Sequence, residues 1–134
     1  MSLGADGKDP PLTLAAWTLP DYLQETSSVT PHLVAELVGL FLRDAAADLK
    51  SLNEQTKQLD AEAAATTLHS LKGSSRQIGG LAMGDLLEAM EDILRRHGVD
   101  ALRDYLPVLG VAFQSLRTEM ECWVFRLEDT QHGD

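Results

Sequence analysis

Leu68-His69-Ser70-Leu71-Lys72-Gly73-Ser74-Ser75-Arg76-Gln77-Ile78-Gly79-Gly80 is the stretch on which the reading of this chain turns. Placed on a helix, Leu68, Leu71, Ser75 and Ile78 form an i, i+3, i+7, i+10 stripe of the kind that faces a core. The opposite side carries His69, Lys72, Gly73 and Arg76. That is an imidazole on a solvent face, with a cation one turn away and another two turns away. A glycine inside a helix costs about 1 kcal/mol relative to alanine. Close approach of another backbone or a ligand to the imidazole would account for Gly73. The rest of the chain reads as a bundle that presents this face.

Working outward, 134 residues suit one domain with a real core. Apolar residues make up 44% and aromatics only 5%, and the abundance of alanine and leucine favours helices over a β-sandwich. A formal net charge of -10 argues against a nucleic-acid backbone or an anionic membrane as partner. Against that background the His69/Lys72/Arg76 face is one of few basic clusters. The single cysteine, Cys122, has no internal disulfide partner, which suits a reducing compartment. No run approaches the roughly 18 apolar residues of a membrane span, the longest candidate being Leu37 to Leu42. No basic segment leads into an apolar run at the N-terminus, so a cytoplasmic location is expected.

The chain divides into helical stretches by its punctuation. Residues 1–11 read as a disordered lead-in and Leu12 to Trp17 as a short helical cap. Pro20 opens a short helix through about Thr26, packed by Tyr22 and Leu23 and ended by Ser27-Ser28. Thr30-Pro31 starts a long helix that runs to about Lys57 with Leu33, Leu37, Leu40, Phe41, Ala45, Leu49 and Leu52 inward. Asp60 caps the motif helix, Ala61 to about Ile78, and Gly79-Gly80 ends it. A further helix spans about Met83 to His97, with Leu86, Leu87, Met90, Ile93 and Leu94 inward and Gly98 at its end. Asp100 opens a last segment to about Leu127, lined by Leu102, Leu106, Leu109, Phe113, Leu116, Met120 and Trp123 or Val124. Pro107 inside it implies a kink or a short helix before a fresh start. Residues 128–134 read as a frayed tail, and 12–127 as one all-α bundle domain.

A histidine on an exposed helix face is ordinarily a solvated polar residue. An imidazole is largely uncharged at neutral pH, however, and therefore nucleophilic. A phosphoryl group landing on it would add negative charge, which Lys72 and Arg76 could partly offset. Exposed ion pairs are worth only about 0–1 kcal/mol, so exposure of His69 and access beside Gly73 should matter more. Ser75 reads as packing, while Ser74 could bond to the helix or orient the ring. His32, His69, His97 and His132 lie far apart without metal-ligand spacing. Cys122, between Met120 and Trp123, reads as a core or semi-core thiol. No Gly-rich nucleotide loop is present.

His69-x-Leu71-Lys72-Gly73-Ser74-Ser75, followed by Gly79, resembles the signature of histidine-containing phosphotransfer (HPt) domains of two-component phosphorelays. The resemblance implies an antiparallel, up-down four-helix bundle with one or two short extra N-terminal helical segments. It implies that His69 accepts a phosphoryl group from a receiver-domain aspartate and passes it to another. Lys72 would be the supporting cation and Gly73 the small residue admitting the receiver. Ser74 and Arg76 would support the site, with Gln77 and Arg95 as candidates for partner contact. Some members have a glutamine near the phosphohistidine where this chain has Glu91; a carboxylate there disfavours phosphate, so Glu91 is expected to point away or that contact to be missing.

The expected partners are response-regulator receivers or a hybrid sensor kinase, with no nucleic acid and no membrane, and the chain as a monomer. No cofactor is expected on the domain itself, since magnesium would sit on the receiver. The domain would be a carrier, without a nucleotide or metal site, rather than an enzyme. Two alternatives stand: a phosphoacceptor domain fed by a chemotaxis-type histidine kinase, and a helical interaction module that is not phosphorylated.

Overall fold

The computed structural model describes residues 16–132, and every regular element among them is helical. The elements are α1 (Asp21–Val29), α2 (Pro31–Lys57), α3 (Ala61–Ile78), α4 (Leu81–His97), a 3₁₀ turn (Val99–Asp104) and α5 (Leu106–His132). Three residues, 58–60, join α2 to α3, and two glycines join α3 to α4. Connections that short force antiparallel neighbours. Helices α2, α3, α4 and α5 pack in a ring, each against the next, and α1 lies against α2. This is the antiparallel four-helix bundle expected, with a short additional N-terminal helix.

The lead-in over residues 1–11 lies outside the described residues, as does most of the expected cap at Leu12–Trp17. Trp17 itself lies in non-helical backbone and is buried. Helix α1 does not stop at Ser27-Ser28. The Ser27 and Ser28 hydroxyls donate back to the carbonyls of Gln24 and Glu25, at 2.7 and 2.8 Å, which keeps both serines within the helix. It ends where Thr30, the residue before Pro31, leaves helical space at φ -136°, ψ 72°, as a residue preceding proline tends to. Pro107 marks a fresh start rather than a kink: the 3₁₀ turn closes at Asp104 and α5 begins at Leu106. That helix continues to His132, past the Leu127 expected as its end, because no glycine or proline intervenes before Gly133.

The core runs the length of the bundle. Leu52, Leu68, Leu71, Met83, Leu87, Met90, Leu109, Leu116 and Met120 are fully buried. On α2 the burial departs from the expected stripe only in the first half of the helix. Val34, Val38, Phe41, Ala45 and Leu52 face the core, whereas Leu33, Leu37 and Leu40 are exposed. The first half of the helix carries two adjacent apolar stripes, and the bundle buries the one with Val34 and Val38; Phe41, Ala45 and Leu52 are buried as expected. Cys122 is exposed rather than packed. No helix among the described residues is long and apolar enough to cross a membrane.

Candidate functional site

Helix α3 is fixed at both ends, which holds its middle steady. At its start the Asp60 carboxylate accepts from the Ala63 N–H at 3.1 Å, satisfying one free donor of the first turn. At its end Gly79 adopts the left-handed conformation, φ 99°, and Gly80 N–H donates to the Ser75 carbonyl at 2.7 Å. The last carbonyls, which have no partner within the helix, are taken up by the segment leading into α1 and by Tyr22 in its first turn. Tyr22 Oη–H donates to Gln77 O at 2.9 Å, Trp17 Nε1–H to Ile78 O at 2.7 Å, and Thr18 N–H to Gly79 O at 2.9 Å. Gly79 is obligatory here, because a Cβ would stand 2.0 Å from the Thr18 carbonyl oxygen. Trp17 also packs edge-on against Trp123 of α5, with ring centroids 5.3 Å apart.

Between these ends Leu68, Leu71, Ser75 and Ile78 are buried, as the stripe requires. His69 projects from the other side with 77% of its side chain exposed. Glu91 does not point away. It reaches across from α4, its Oε2 standing 3.3 Å from His69 Nδ1 and its Oε1 2.6 Å from Lys72 Nζ. Both Lys72 and Glu91 are about one-fifth exposed (19% and 21%), so this ion pair is partly desolvated and screened less than a surface pair. The reason for the orientation is placement on α4. Glu91 follows the buried Met90, on the side that meets α3, and Lys72 offers the counter-charge. A carboxylate one residue off the inward stripe, opposite a lysine, is the signal in the sequence for this contact.

Arg76, expected as a second cation beside the ring, is committed elsewhere. Its guanidinium binds Asp85 at 3.0 Å and Glu88 at 2.7 Å, and these hydrogen bonds, Glu88 first, raise its pKa further. Its stem crosses Gly84 of α4, where a Cβ would lie 2.5 Å from Arg76 Cγ. Arg76 therefore clamps α3 to α4. Ser75 is fully buried, and Ser74 donates back to the Leu71 carbonyl at 3.2 Å, so neither hydroxyl faces the ring. Gly73 is exposed, and a Cβ added there would meet nothing within 4 Å. Packing among the described residues gives no reason for that glycine.

The exposed crest of α3 on which His69 stands is bordered along its length by two unlike hollows. Toward α4 lies a charged hollow lined by Glu62, His69, Lys72, Glu91, Leu94 and Arg95; Arg95 also pairs with Asp92. Further along α3, toward α1 and α2 and not reaching His69, lies an apolar groove that includes Tyr22, Leu37, Leu40, Phe41, Ser74 and Gln77. Leu37, Leu40 and Tyr22 are exposed there. Both leucines, expected in the core, instead line this groove, because packing turns Val34 and Val38 inward. Away from the crest, burial and the neighbouring Asp44 raise the pKa of Asp48. Among the described residues no group of three His, Cys, Asp or Glu side chains is placed to hold a metal ion.

The family model of the Hpt domain matches residues 36–121. Among solved structures, the chain is similar to the histidine-containing phosphotransfer protein ZmHP2 from maize. The TM-score is 0.69 at 25% identity, over 79% of this chain and 88% of that one. It is also similar to histidine-containing phosphotransfer protein B from Pseudomonas aeruginosa PAO1, with a TM-score of 0.66 at 26% identity over 81% and 95%. The HPT domain of a sensor hybrid histidine kinase from Shewanella shares the fold, with a TM-score of 0.61 at 18% identity over 81% and 94%. No curated protein sequence matches the chain. With the family model covering most of the bundle and an exposed histidine at the centre of its motif helix, this chain belongs to the Hpt domain family of two-component signalling.

Proposed function

We propose that His69 accepts a phosphoryl group from the aspartyl phosphate of a receiver domain and passes it to the aspartate of a second receiver. The observation that carries this reading is the crest itself: an imidazole 77% exposed, beside a glycine whose missing side chain would touch nothing among the described residues. Open space there serves an incoming partner. The domain supplies a nucleophile and its surroundings, while magnesium and the activated carboxylate belong to the receiver. It acts as a carrier rather than an enzyme, in the cytoplasm.

Lys72 is the supporting cation. Its ammonium already neutralises Glu91 at 2.6 Å, so a phosphoryl group on the ring meets a compensated carboxylate rather than a bare one. The receiver docks across the crest, and the exposed Tyr22, Leu37 and Leu40 supply the apolar contact area. Release must follow each transfer, which suits an interface near or below about 1,200 Å². Arg95 and the other charges of the hollow act on encounter and partner choice.

The test is phosphotransfer from phosphorylated receivers to the wild-type protein and to His69→Gln. Acid-labile, base-stable label on the wild type alone is the expected result. Absence of label from every receiver tried, in a protein verified as folded and helical, would sink the receiver-fed reading. Label appearing only with a chemotaxis-type kinase would replace it with the kinase-fed one.

A further inference from the structure

We infer that the outer face of α5 is an interface for a second copy of this chain, the two helices lying side by side and parallel. Along that face Val108, Val111, Ser115, Thr118, Cys122 and Phe125 are all exposed, with Val108, Val111 and Phe125 at 51%, 67% and 69%. Their spacing alternates between three and four residues, which is the seam of a two-stranded coiled coil. None of the six is charged, in a chain where 24% of residues are. The outward faces of the neighbouring helices are unlike it. Helix α2 exposes Glu36, Arg43, Lys50 and Glu54, and α4 exposes Asp85, Glu88, Arg95 and Arg96.

Charge chooses the occupant and its direction. With Val108, Ser115 and Cys122 at heptad position a and Val111, Thr118 and Phe125 at d, Glu119 and Arg126 fall at e, and Gln114 and Glu121 at g. In a parallel pair a g residue meets the next e residue of the other helix. Glu121 therefore meets Arg126 of the second copy, twice by symmetry, and Gln114 meets Glu119. No like charges face each other. Glu121 already binds Arg117 of its own helix through Oε2 at 3.0 Å, which leaves Oε1 for the new contact. Antiparallel packing with all six layers matched sets Glu121 against Gln114 instead and gains no ion pair. The face thus complements itself, and a parallel second copy matches it layer by layer.

The fold leaves room for this pairing. Two shallow hollows on the face meet at Thr118. Cys122, Phe125 and Arg126 border the second of them, the kind of hole that receives a d-position knob, here Phe125 of the other copy. Helices α2 and α4 flank α5, and α3 lies across the ring from it, so the pair leaves both His69 crests facing outward. The net charge of -10 opposes self-association. Charges beyond about 8 Å are screened at physiological ionic strength, however, and the seam itself is neutral. The seam is only about 26 Å long, with Ser115 and Thr118 at its middle, and so falls short of the ~1,200 Å² at which standard interfaces begin. The dissociation constant is accordingly between about 1 μM and 1 mM. The monomer expected from the sequence is the form at low concentration.

Sedimentation of the full-length protein in reductant, over a range of concentrations, tests the pair. The wild type is expected to pass from monomer to dimer. Val111→Lys and Phe125→Lys each place an ammonium in the seam and should raise the dissociation constant about tenfold or more. Both side chains are exposed, so helicity and melting should not move. Direction is read by oxidation with diamide. At an interaxial distance of about 8–10 Å, facing Cα atoms lie about 4–6 Å apart, within disulfide range. Cys122 meets its own copy only in the parallel pair. Cross-linked dimer should form from the wild type about tenfold faster or more than from Lys50→Cys in a Cys122→Ser background, where the thiol stands on the outer face of α2. A protein that stays monomeric up to about 1 mM, a dimer indifferent to both lysines, or Cys122 cross-linking no faster than the α2 thiol would each overturn the inference.

Discussion

Replacing Gly73 should make the protein more stable and less competent. A Cβ at this position meets nothing within 4 Å, so Gly73→Ala introduces no strain and gains the full difference in helix propensity, about 1 kcal/mol. For a domain of this size that corresponds to a melting temperature higher by about 3–5 °C. The functional effect runs the other way. A near-attack geometry places reacting atoms about 3–3.5 Å apart, and a misplacement of 1 Å costs on the order of 10²-fold. A side chain rising from Gly73, one turn along the crest from His69, holds a docked receiver off by at least that distance. Gly73→Ala should slow transfer measurably, and Gly73→Leu by about 100-fold or more. Calorimetry and single-turnover transfer from one phosphorylated receiver measure the two effects on the same preparations. Gly73→Leu transferring at the wild-type rate would refute the argument that the open space serves a partner. Gly73→Ala melting below wild type would refute the claim that nothing in the chain needs the glycine.

Three further outcomes are expected. Gly79→Ala combines a left-handed backbone with a Cβ 2.0 Å from the Thr18 carbonyl; denaturant titration should show a loss of about 3 kcal/mol or more, and a loss below 1 kcal/mol would mean the N-terminal segment is not tied down there. Ser75→Ala removes a fully buried hydroxyl with no hydrogen-bond partner, so stability should hold or rise by about 1 kcal/mol, despite the residue's place in the motif. Asp48 has its pKa raised from 3.8 by burial and then by Asp44, so the folded state holds its proton more tightly than the unfolded state does. Its charged form therefore costs stability above the raised value, and that cost fades as pH falls through it toward 3.8. Asp48→Asn should be more stable than wild type by about 0.5 kcal/mol at neutral pH, with the gap closing in acid; a gap that widens in acid would reverse the assignment.

The motif helix was legible because its two faces differ so sharply. Leu68, Leu71 and Ile78 could only be core, and the exposed histidine followed from them. Caps such as Asp60 and Gly79 were legible for the same local reason. What escaped depended on which helix met which. Helix α2 has apolar residues on two adjacent stripes, and only packing decided that Val34 and Val38 go in while Leu37 and Leu40 stay out. Arg76 and Lys72 share a face, yet Asp85 and Glu88 claim one cation and Glu91 the other. That division is set by the register of α4 against α3, which no local pattern encodes. Ser27-Ser28 failed as a stop signal because hydroxyls that can bond back to helix carbonyls need not end a helix.

The crest on which His69 sits has a consequence for the proposed exchange with more than one receiver. The apolar groove with Leu37 and Leu40 meets the motif helix at Ser74 and Gln77, whereas the Glu91–Lys72 pair lies beside the ring itself. In the proposed relay, contact area in the groove would set residence time, while the charges beside the ring would stay the same for every receiver. Because no side chain belongs to both, a receiver can bind briefly or long without altering the intrinsic reactivity it meets. Changes in dwell time among partners need not disturb the chemistry they share.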